Sequence, residues 1–147
     1  FFVDAALTVA VGNISNEKKK LMDVTERSLQ LGIEQAIAGN KVHDISNAVQ
    51  VYVEANGFSI VRDLCGHGVG KFLHEDPSIP NFGRKGTGPK LKNGMTIAIE
   101  PMVNAGKYDV ITANDGWTIL TADGSTSAHF EHTILINNNS PEILTIC

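Results

Sequence analysis

The division of this chain into a helical first part and a strand-rich second part most constrains its fold. One long helix is predicted from the N-cap Ser15 to a point before Gly39, and a second from about Asp44 to Asn56, where Gly57 stops it. The apolar residues that recur on one face are Met22, Leu29, Ile33 and Ile37 in the first helix, and Ile45, Val49, Val51, Tyr52 and Val53 in the second. Each helix is therefore expected to pack one side against other elements.

The rest of the chain has the pattern of short strands. They are predicted at residues 5–11, 58–64, 95–100, 110–113, 117–121, 129–137 and 142–146, with turn signals at Asn114-Asp115-Gly116 and Asp123-Gly124. Residues 77–92 hold three of the five prolines and are predicted to form a long loop beside a cleft. Antiparallel strands with helices on one face make an α+β fold, and 147 residues are typical of a single domain, 1–147.

Composition argues against several classes of partner. The chain has 12 basic and 16 acidic residues, so no obligatory nucleic-acid partner is expected, because phosphate binding needs a basic face. No segment has the apolar length of a membrane span, and no membrane partner is expected. Cys65 and Cys147 form no paired-cysteine motif, which indicates a reduced, cytoplasmic protein. Cys65 is interpreted as a buried small residue in preference to a functional thiol.

Three stretches carry residues suited to metal-assisted hydrolysis. They are Gly66-His67-Gly68-Val69-Gly70, Ile97-Ala98-Ile99-Glu100-Pro101-Met102 and Ser127-Ala128-His129-Phe130-Glu131-His132-Thr133. One imidazole and two carboxylates are a mixed nitrogen and oxygen set that borderline and hard divalent metals accept. A lone histidine in a glycine-rich turn is more often structural, but a second imidazole, His74, follows His67 by seven residues and can carry protons.

The two glutamates also have ordinary interpretations. Glu100 ends an apolar strand before Pro101, where it is either a solvated strand end or a metal-binding carboxylate at the rim of the sheet. Glu131 lies in mid-strand, which is unusual unless that face is wet or binds something, and alternation places Thr133 on the same face. Asp4 is the fourth candidate. Carboxylates brought together repel one another unless a proton or a cation lies between them.

In order and spacing, these stretches resemble the type I methionine aminopeptidases. The resemblance covers essentially the whole chain and rests on Asp4-Ala5-Ala6-Leu7-Thr8, Gly66-His67-Gly68-Val69-Gly70, Ile99-Glu100-Pro101-Met102-Val103-Asn104-Ala105-Gly106, Asp115-Gly116-Trp117, Glu131-His132-Thr133 and Glu142-Ile143-Leu144-Thr145. Glu100 and Glu131 are 31 positions apart, whereas type II enzymes carry an insertion there. Prolidases and aminopeptidases P share the ligand set, but the stretches around the two glutamates look more like the methionine enzymes.

The resemblance implies the pita-bread fold of creatinases and aminopeptidases, with helices outside a curved antiparallel sheet and a metal site on its inner face. It implies metal ligands at Asp4, His67, Glu100 and Glu131. One or two divalent ions per chain, of Co, Mn, Fe or Zn, are expected as cofactors. Glu100 is also expected to carry protons as a catalytic residue.

Three further positions match residues that touch the substrate in this family. His74 is expected to contact the scissile peptide and to stabilise the intermediate as a catalytic residue. Leu73 and Trp117 are expected to line the pocket for the methionine side chain.

The chain departs from the family pattern at its start. The family's first aspartate ligand lies about ten residues before the second, whereas only three residues precede Asp4, and the chain begins at Phe1 without an initiator methionine. The chain is therefore expected to be the C-terminal part of a longer enzyme, truncated at its N-terminus. We expect one nearly complete metal position and the loss of the other.

The activity that the resemblance implies is hydrolysis of the bond after the initiator methionine of newly made proteins, in the cytoplasm. The expected partners are the N-terminal methionine of nascent polypeptides and the ribosome, and the full-length form is expected to be a monomer. The alternatives are a non-catalytic fragment or binding module on the same fold and a prolidase-like aminopeptidase.

Overall fold

The computed structural model describes residues 1–146, so the predicted reduced state of Cys147 lies outside the described part. Two helices, α1 (Asn16–Glu34) and α2 (Val42–Ala55), precede ten short strands. The strands are β1 (Ser59–Ile60), β2 (Cys65–Gly68), β3 (Glu75–Pro80), β4 (Thr96–Ile99), β5 (Met102–Asn104), β6 (Val110–Thr112), β7 (Ile119–Thr121), β8 (Ser127–His129), β9 (His132–Leu135) and β10 (Glu142–Ile143). Within residues 1–146, neither helix is both long and apolar enough to span a bilayer.

Both predicted helices are confirmed. Ser15 accepts a hydrogen bond from the Lys18 backbone N–H and caps α1, whose predicted apolar residue Ile37 lies beyond the last turn. Helix α2 begins two residues earlier than expected, because the Lys41 backbone N–H donates to the Asp44 carboxylate at 2.7 Å and so places the cap at Lys41.

One apolar position expected in the face of α2 is exposed. The side chains of Val49 and Val53 are buried, and they lie four residues apart on one face of the helix. Val51 falls between them on the opposite face and is 58% exposed.

All strand pairs are antiparallel, as predicted. Strands β10-β9-β4-β2-β3 form a five-stranded sheet, β1-β5-β8 form a three-stranded sheet, and β6 pairs with β7. The β6–β7 pair is the hairpin predicted at Asn114-Asp115-Gly116, and Gly116 has the positive φ of 72° that such a turn requires.

The helices cover one face of the five-stranded sheet. One of two apolar clusters joins the helices to this sheet: Leu29, Ile33, Val42 and Ile45 from the helices, and Ile79, Ile97, Ile99 and Ile134 from the strands. Burying each of these side chains contributes about 1.5–3 kcal/mol relative to leaving it exposed. Because alternate residues of a strand point to opposite faces, Ala98 and Thr133 point away from the helices, toward the inner face of the sheet.

The first predicted strand is reduced to one backbone bridge. Ala6 and Glu131 exchange both backbone hydrogen bonds, but residues 5–11 contain no regular strand. At the next rung the Thr8 hydroxyl donates to the His129 carbonyl and accepts from the His129 N–H. A side chain therefore takes the place of the backbone, and the ladder stops there.

Other predicted boundaries are wrong as well, and only Glu142–Ile143 of residues 142–146 is a strand. Only Ser59–Ile60 of residues 58–64 is a strand. The predicted loop 77–92 begins inside β3, because Ile79 is buried opposite Gly66 of β2. The predicted strand 129–137 is divided, because Ser127–His129 pairs with β5 whereas His132–Leu135 pairs with β4.

Cys65 is exposed rather than buried, which corrects its predicted environment. It begins β2 and shares a strand face with His67, two residues on. That face is the open inner side of the sheet, so the thiol is not packed in the core.

Candidate metal centre

One row of paired residues places His67 on the inner face. His67 lies opposite Ala98 of β4, and Ala98 lies opposite Thr133 of β9. Directly paired residues of neighbouring strands point to the same side of a sheet. His67 was expected in a turn, but it lies in strand β2, where a shift of register between Gly66 and Gly68 interrupts the pairing with β3.

The glycines beside His67 are required for close approach of the neighbouring backbones. A Cβ at Gly66 would overlap the Ala98 carbonyl, and a Cβ at Gly68 would overlap the carbonyl of Asp76. Without side chains at these two positions, β2 packs closely between its neighbours, and His67 keeps its pairing with Ala98 on the inner face.

The two glutamates occupy the next rung of the same face. Ile99 pairs with His132. Glu100 directly follows Ile99 and Glu131 directly precedes His132, so these two glutamates lie opposite each other just beyond the last pair. Two steps separate Glu100 from Ala98 and Glu131 from Thr133, which places both carboxylates on the inner side. The backbone of Glu131 is further fixed by its double hydrogen bond to Ala6.

Asp4 reaches the same face through Thr133. The Asp4 N–H donates to the Thr133 hydroxyl at 2.8 Å, and this hydroxyl donates to the Asp4 carbonyl at 2.8 Å. This pair of bonds spans 129 residues of sequence and holds the start of the chain against β9.

The four predicted metal ligands converge. The Nε2 atom of His67 lies 3.5 Å from Glu100 Oε1 and 3.9 Å from Asp4 Oδ2. Ligand atoms of Asp4, His67 and Glu131 all lie within 4.8 Å of one another. These distances describe one cluster of four side chains, and the metal-binding role of each stays a prediction.

The hydrogen bond of His67 uses its Nδ1 atom and leaves Nε2 free for a cation. Its Nδ1 lies 2.9 Å from the Gly68 carbonyl, and a carbonyl oxygen only accepts hydrogen bonds. The neutral ring therefore carries its proton on Nδ1, and Nε2 presents a lone pair toward the carboxylates of the cluster.

Glu131 is the member of the cluster that most needs a cation or a proton. Its residue is only 4% exposed, and its Oε1 atom is buried without a hydrogen-bond partner among the described residues. Burial, followed by the negative charges of Glu100 and Asp4, raises the pKa of Glu131 to about 7. A buried, partnerless carboxylate oxygen facing an imidazole and two further carboxylates fits a divalent cation.

The raised pKa of Glu131 predicts an unusual pH dependence for the metal-free chain. The folded state binds the Glu131 proton more tightly than the unfolded state does, so this group stabilises the fold below about pH 4.5, and the contribution is lost as the pH rises through about 7. We expect the unfolding temperature in EDTA to fall between pH 5 and pH 8, and Glu131→Gln to flatten that fall. Parallel curves for the two proteins in thermal unfolding would contradict this assignment.

His74 lies beside the cluster without belonging to it. Its ring centroid is 4.3 Å from that of His67, with an angle of 69° between the ring planes, and the residue is exposed. An exposed imidazole next to the cluster is available to a bound peptide. The predicted catalytic role of His74 stays a prediction.

The two residues expected to line a methionine pocket are more exposed to solvent than the four predicted metal ligands. Leu73 is half-buried, whereas Trp117 lies between β6 and β7 and is 87% exposed. The described residues therefore enclose Trp117 very little, and its substrate-binding role also stays a prediction.

His129 was not singled out from the sequence, although it belongs to the same cluster. Its Nε2 lies 3.5 Å from Glu100 Oε2, and His129, Glu100 and Glu131 form a second group of ligand atoms within 4.8 Å of one another. The signal that could have found it is its spacing, since a residue two positions before Glu131 on an extended chain faces the same side.

Comparisons with known proteins show which proteins this chain resembles. The sequence profile of metallopeptidase family M24 matches residues 1–138. A curated methionine aminopeptidase from Clostridium perfringens is 60% identical and covers 99% of the chain. Crystal structures of methionine aminopeptidases from Rickettsia prowazekii and Thermotoga maritima superpose with TM-scores of 0.96 and 0.95, at 46% and 51% identity, over 98% and 97% of the chain.

The chain spans about three fifths of the relatives that it matches. It covers 59% of the Clostridium protein and 58% and 57% of the two solved chains. The likeness to these structures confirms the predicted α+β, pita-bread fold for the part of the fold that the chain contains.

Proposed function

Because the chain belongs to metallopeptidase family M24, we propose that its parent protein removes the N-terminal methionine from newly made polypeptides by metal-dependent hydrolysis. The observation that carries this proposal is the meeting of Asp4, His67, Glu100 and Glu131 on the inner face of one sheet. The spacing of 31 positions between the two glutamates favours the type I class.

We propose that these four side chains hold the cation. Three carboxylates and one imidazole suit Co, Mn, Fe or Zn, and the choice among them depends on metal supply as well as on affinity. When bound, a divalent metal supplies Lewis acidity that polarises a carbonyl and brings the pKa of water toward neutrality.

We propose that Glu100 moves a proton as well as binding metal. One of its oxygens faces His67 and the other faces His129. A carboxylate held between two nitrogens at the open face of the sheet can accept a proton from water and return it to the departing amine. Replacing Glu100 is therefore expected to reduce catalysis for two reasons: the loss of a metal ligand and the loss of a proton carrier.

His74 is proposed to bind the substrate peptide. Its ring lies edge to face against that of His67, and its exposed position lets a ring N–H donate to a peptide oxygen on which negative charge develops. Leu73, next to it, and Trp117, on the β6–β7 hairpin, are proposed to contact the methionine side chain.

The proposed substrate also indicates where the parent protein works. Nascent polypeptides are made by ribosomes, so the ribosome is a proposed partner and the cytoplasm the proposed location. A monomeric full-length form remains part of the same proposal.

The main alternative is that these residues alone are a non-catalytic module. A row of apolar residues near the start is exposed: Phe1, Phe2, Val3, Leu7, Val9 and Val11. An exposed apolar stretch of this length is typical of a surface that another segment covers. On this alternative the chain binds metal but forms too little of the methionine pocket to turn over substrate.

Adding the N-terminal segment of the 60% identical relative distinguishes the two functions. We expect the chain alone to cleave a Met-Ala-x peptide poorly, and the same chain, supplied with that segment by fusion before Phe1 or in trans, to release methionine. Release should be measured with Mn²⁺ and with EDTA. A fusion that folds and binds Mn²⁺ but releases no methionine would support the binding module instead.

A further inference from the structure

The exposed imidazole of His74 is carried by a segment without regular secondary structure. Strand β2 ends at Gly68 and β3 begins at Glu75, and residues 70–74 between them form neither helix nor strand. The hydrogen bonds of a sheet or a helix therefore do not fix the His74 ring, which lies edge to face against that of His67. Another contact must hold the segment, because a catalytic group displaced by about 1 Å can lose 10²-fold in rate.

The Glu75 side chain folds back over this segment. Its Oε1 atom accepts a hydrogen bond from the Phe72 backbone N–H at 2.8 Å. Within residues 1–146, this is the one hydrogen bond between a side chain and the backbone of residues 70–74. The carboxylate therefore closes the turn immediately before His74.

The absence of a side chain at Gly70 makes room for that carboxylate. A Cβ placed at Gly70 would lie 2.8 Å from Glu75 Oε2 and 2.9 Å from Oε1, which is too close for an undisturbed contact. The backbone of Gly70 is itself anchored, because its carbonyl accepts from the Phe2 N–H at 2.9 Å and its N–H donates to the Phe72 carbonyl at 3.1 Å. An added methyl group at Gly70 would thus displace the carboxylate and leave the backbone in place.

The strand register places His74 and Glu75 on opposite sides of the sheet. Glu75 pairs with Gly68, and directly paired residues point to the same side. Gly68 and His67 are neighbours in β2, so Glu75 points away from the inner face. His74, one residue before Glu75, points toward the inner face and contacts His67. Glu75 belongs to neither group of ligand atoms, so it acts on the segment from the side opposite the metal ligands.

We propose that Glu75 is a positioning residue for His74. Its carboxylate, seated over Gly70 and bonded to the Phe72 N–H, fixes the turn that precedes the imidazole. The ring of His74 then stays against that of His67. Only the contact between His74 and the substrate rests on the proposed function. Because an unanchored imidazole is away from the peptide for part of the time, Glu75 is expected to affect kcat and to leave metal affinity unchanged.

Three variants of the metal-free chain test the positioning itself. In EDTA, NMR of the unsubstituted chain should show a nuclear Overhauser effect between the rings of His67 and His74, because their centroids are 4.3 Å apart. Glu75→Ala removes the hydrogen-bond acceptor and Gly70→Ala displaces the carboxylate, so both are expected to lose this signal. Glu75→Gln keeps a carbonyl oxygen that can accept the same hydrogen bond, and it is expected to retain the signal.

The effect on turnover is measured in the active fusion with the N-terminal segment. We expect Glu75→Ala to lower kcat for a Met-Ala-x peptide by about 10–100-fold with the metal content unchanged, since a misplacement of about 1 Å costs up to 10²-fold. Glu75→Gln should stay within about fivefold, because a neutral carbonyl accepts a weaker hydrogen bond than a carboxylate does. If Glu75 acts through His74, Glu75→Ala should lower kcat no further in a His74→Ala background. A purely structural effect would instead multiply with that of His74→Ala.

The matched control is Glu142→Ala. Glu142, like Glu75, is the first residue of an edge strand of the five-stranded sheet, but it lies on β10 and is exposed. Its ring contact and kcat should remain as in the unsubstituted protein, and circular dichroism verifies that each variant is folded. A retained ring contact in Glu75→Ala, or independent effects of Glu75→Ala and His74→Ala on kcat, would overturn the inference. A fusion that releases no methionine would instead count against the proposed function, while the ring contact still decides the role of Glu75.

Discussion

Replacing Glu131 by glutamine is expected to remove tight metal binding and, with it, peptidase activity. Glu131 is the buried carboxylate that both groups of ligand atoms share, so its replacement removes a ligand atom from both groups. Outer partners of metal ligands are worth about 10–100-fold in affinity, and a shared direct ligand is expected to be worth on the order of 100-fold or more. Activity at a fixed, limiting metal concentration should fall by a similar factor.

The same substitution should not unfold the metal-free protein. Glutamine has nearly the shape of protonated glutamate. It removes the buried negative charge, whose desolvation, followed by repulsion from Glu100 and Asp4, raises the pKa of Glu131. At pH 8 in EDTA, Glu131→Gln is expected to unfold at a higher temperature than the unsubstituted chain, by about 2–4 °C for each kcal/mol recovered.

Glu142→Gln is the matched control for this prediction. Glu142 is an exposed glutamate on β10 and belongs to neither group of ligand atoms. Metal content is measured by calorimetry and elemental analysis, and activity is measured in the fusion with the N-terminal segment. Full metal affinity in Glu131→Gln would show that the carboxylate is not a ligand.

His74→Ala is expected to separate catalysis from metal binding. His74 is exposed and stacks edge to face with His67, but it is absent from both groups of ligand atoms. A positioned imidazole contributes about 10²–10⁴-fold to turnover. We therefore expect kcat for a Met-Ala-x peptide to fall by that range in the active fusion, with the metal content within about 20% of the unsubstituted value, an allowance that covers measurement scatter.

His43→Ala serves as the control. It also removes an imidazole, but this one bonds to Thr87 and belongs to neither group of ligand atoms. Its kcat and metal content should both stay near the unsubstituted values. If His74→Ala lost its metal instead, His74 would be part of the metal centre and its assignment to the peptide would be wrong.

Features of the fold that depend on neighbouring residues were predicted well. Ser15 caps α1, Gly57 follows the end of α2, and Asn114-Asp115-Gly116 joins β6 to β7. Each of these depends on the conformational preference of a few consecutive residues, and that preference follows from their residue types.

Features that depend on distant partners were predicted poorly. Residues 5–11 have a strand pattern, but the Thr8 hydroxyl replaces a backbone rung at His129. Residues 129–137 also look continuous, but the chain crosses from the β5 partner to the β4 partner at Glu131. Neither choice is visible in a local pattern, because both depend on which strand lies alongside.

The candidate site shows the same limit. The residue types of His67, Glu100 and Glu131 suggested a metal, whereas their meeting depends on the pairing of His67 with Ala98 and of Ala98 with Thr133. Asp4 was a candidate because of its carboxylate, and the resemblance to a known family then implied that it is a ligand. Neither argument indicated His129, whose position beside Glu100 depends on the crossing between the two sheets.

The most direct test of the central claim is to locate the bound cation. Crystals of the chain grown with Mn²⁺ should give an anomalous peak about 2.0–2.2 Å from Asp4, from His67 Nε2, from Glu100 and from Glu131. Such a peak is the result that we predict. Well-ordered crystals in which these four side chains hold no Mn²⁺, or in which the ion lies elsewhere on the chain, would contradict the account.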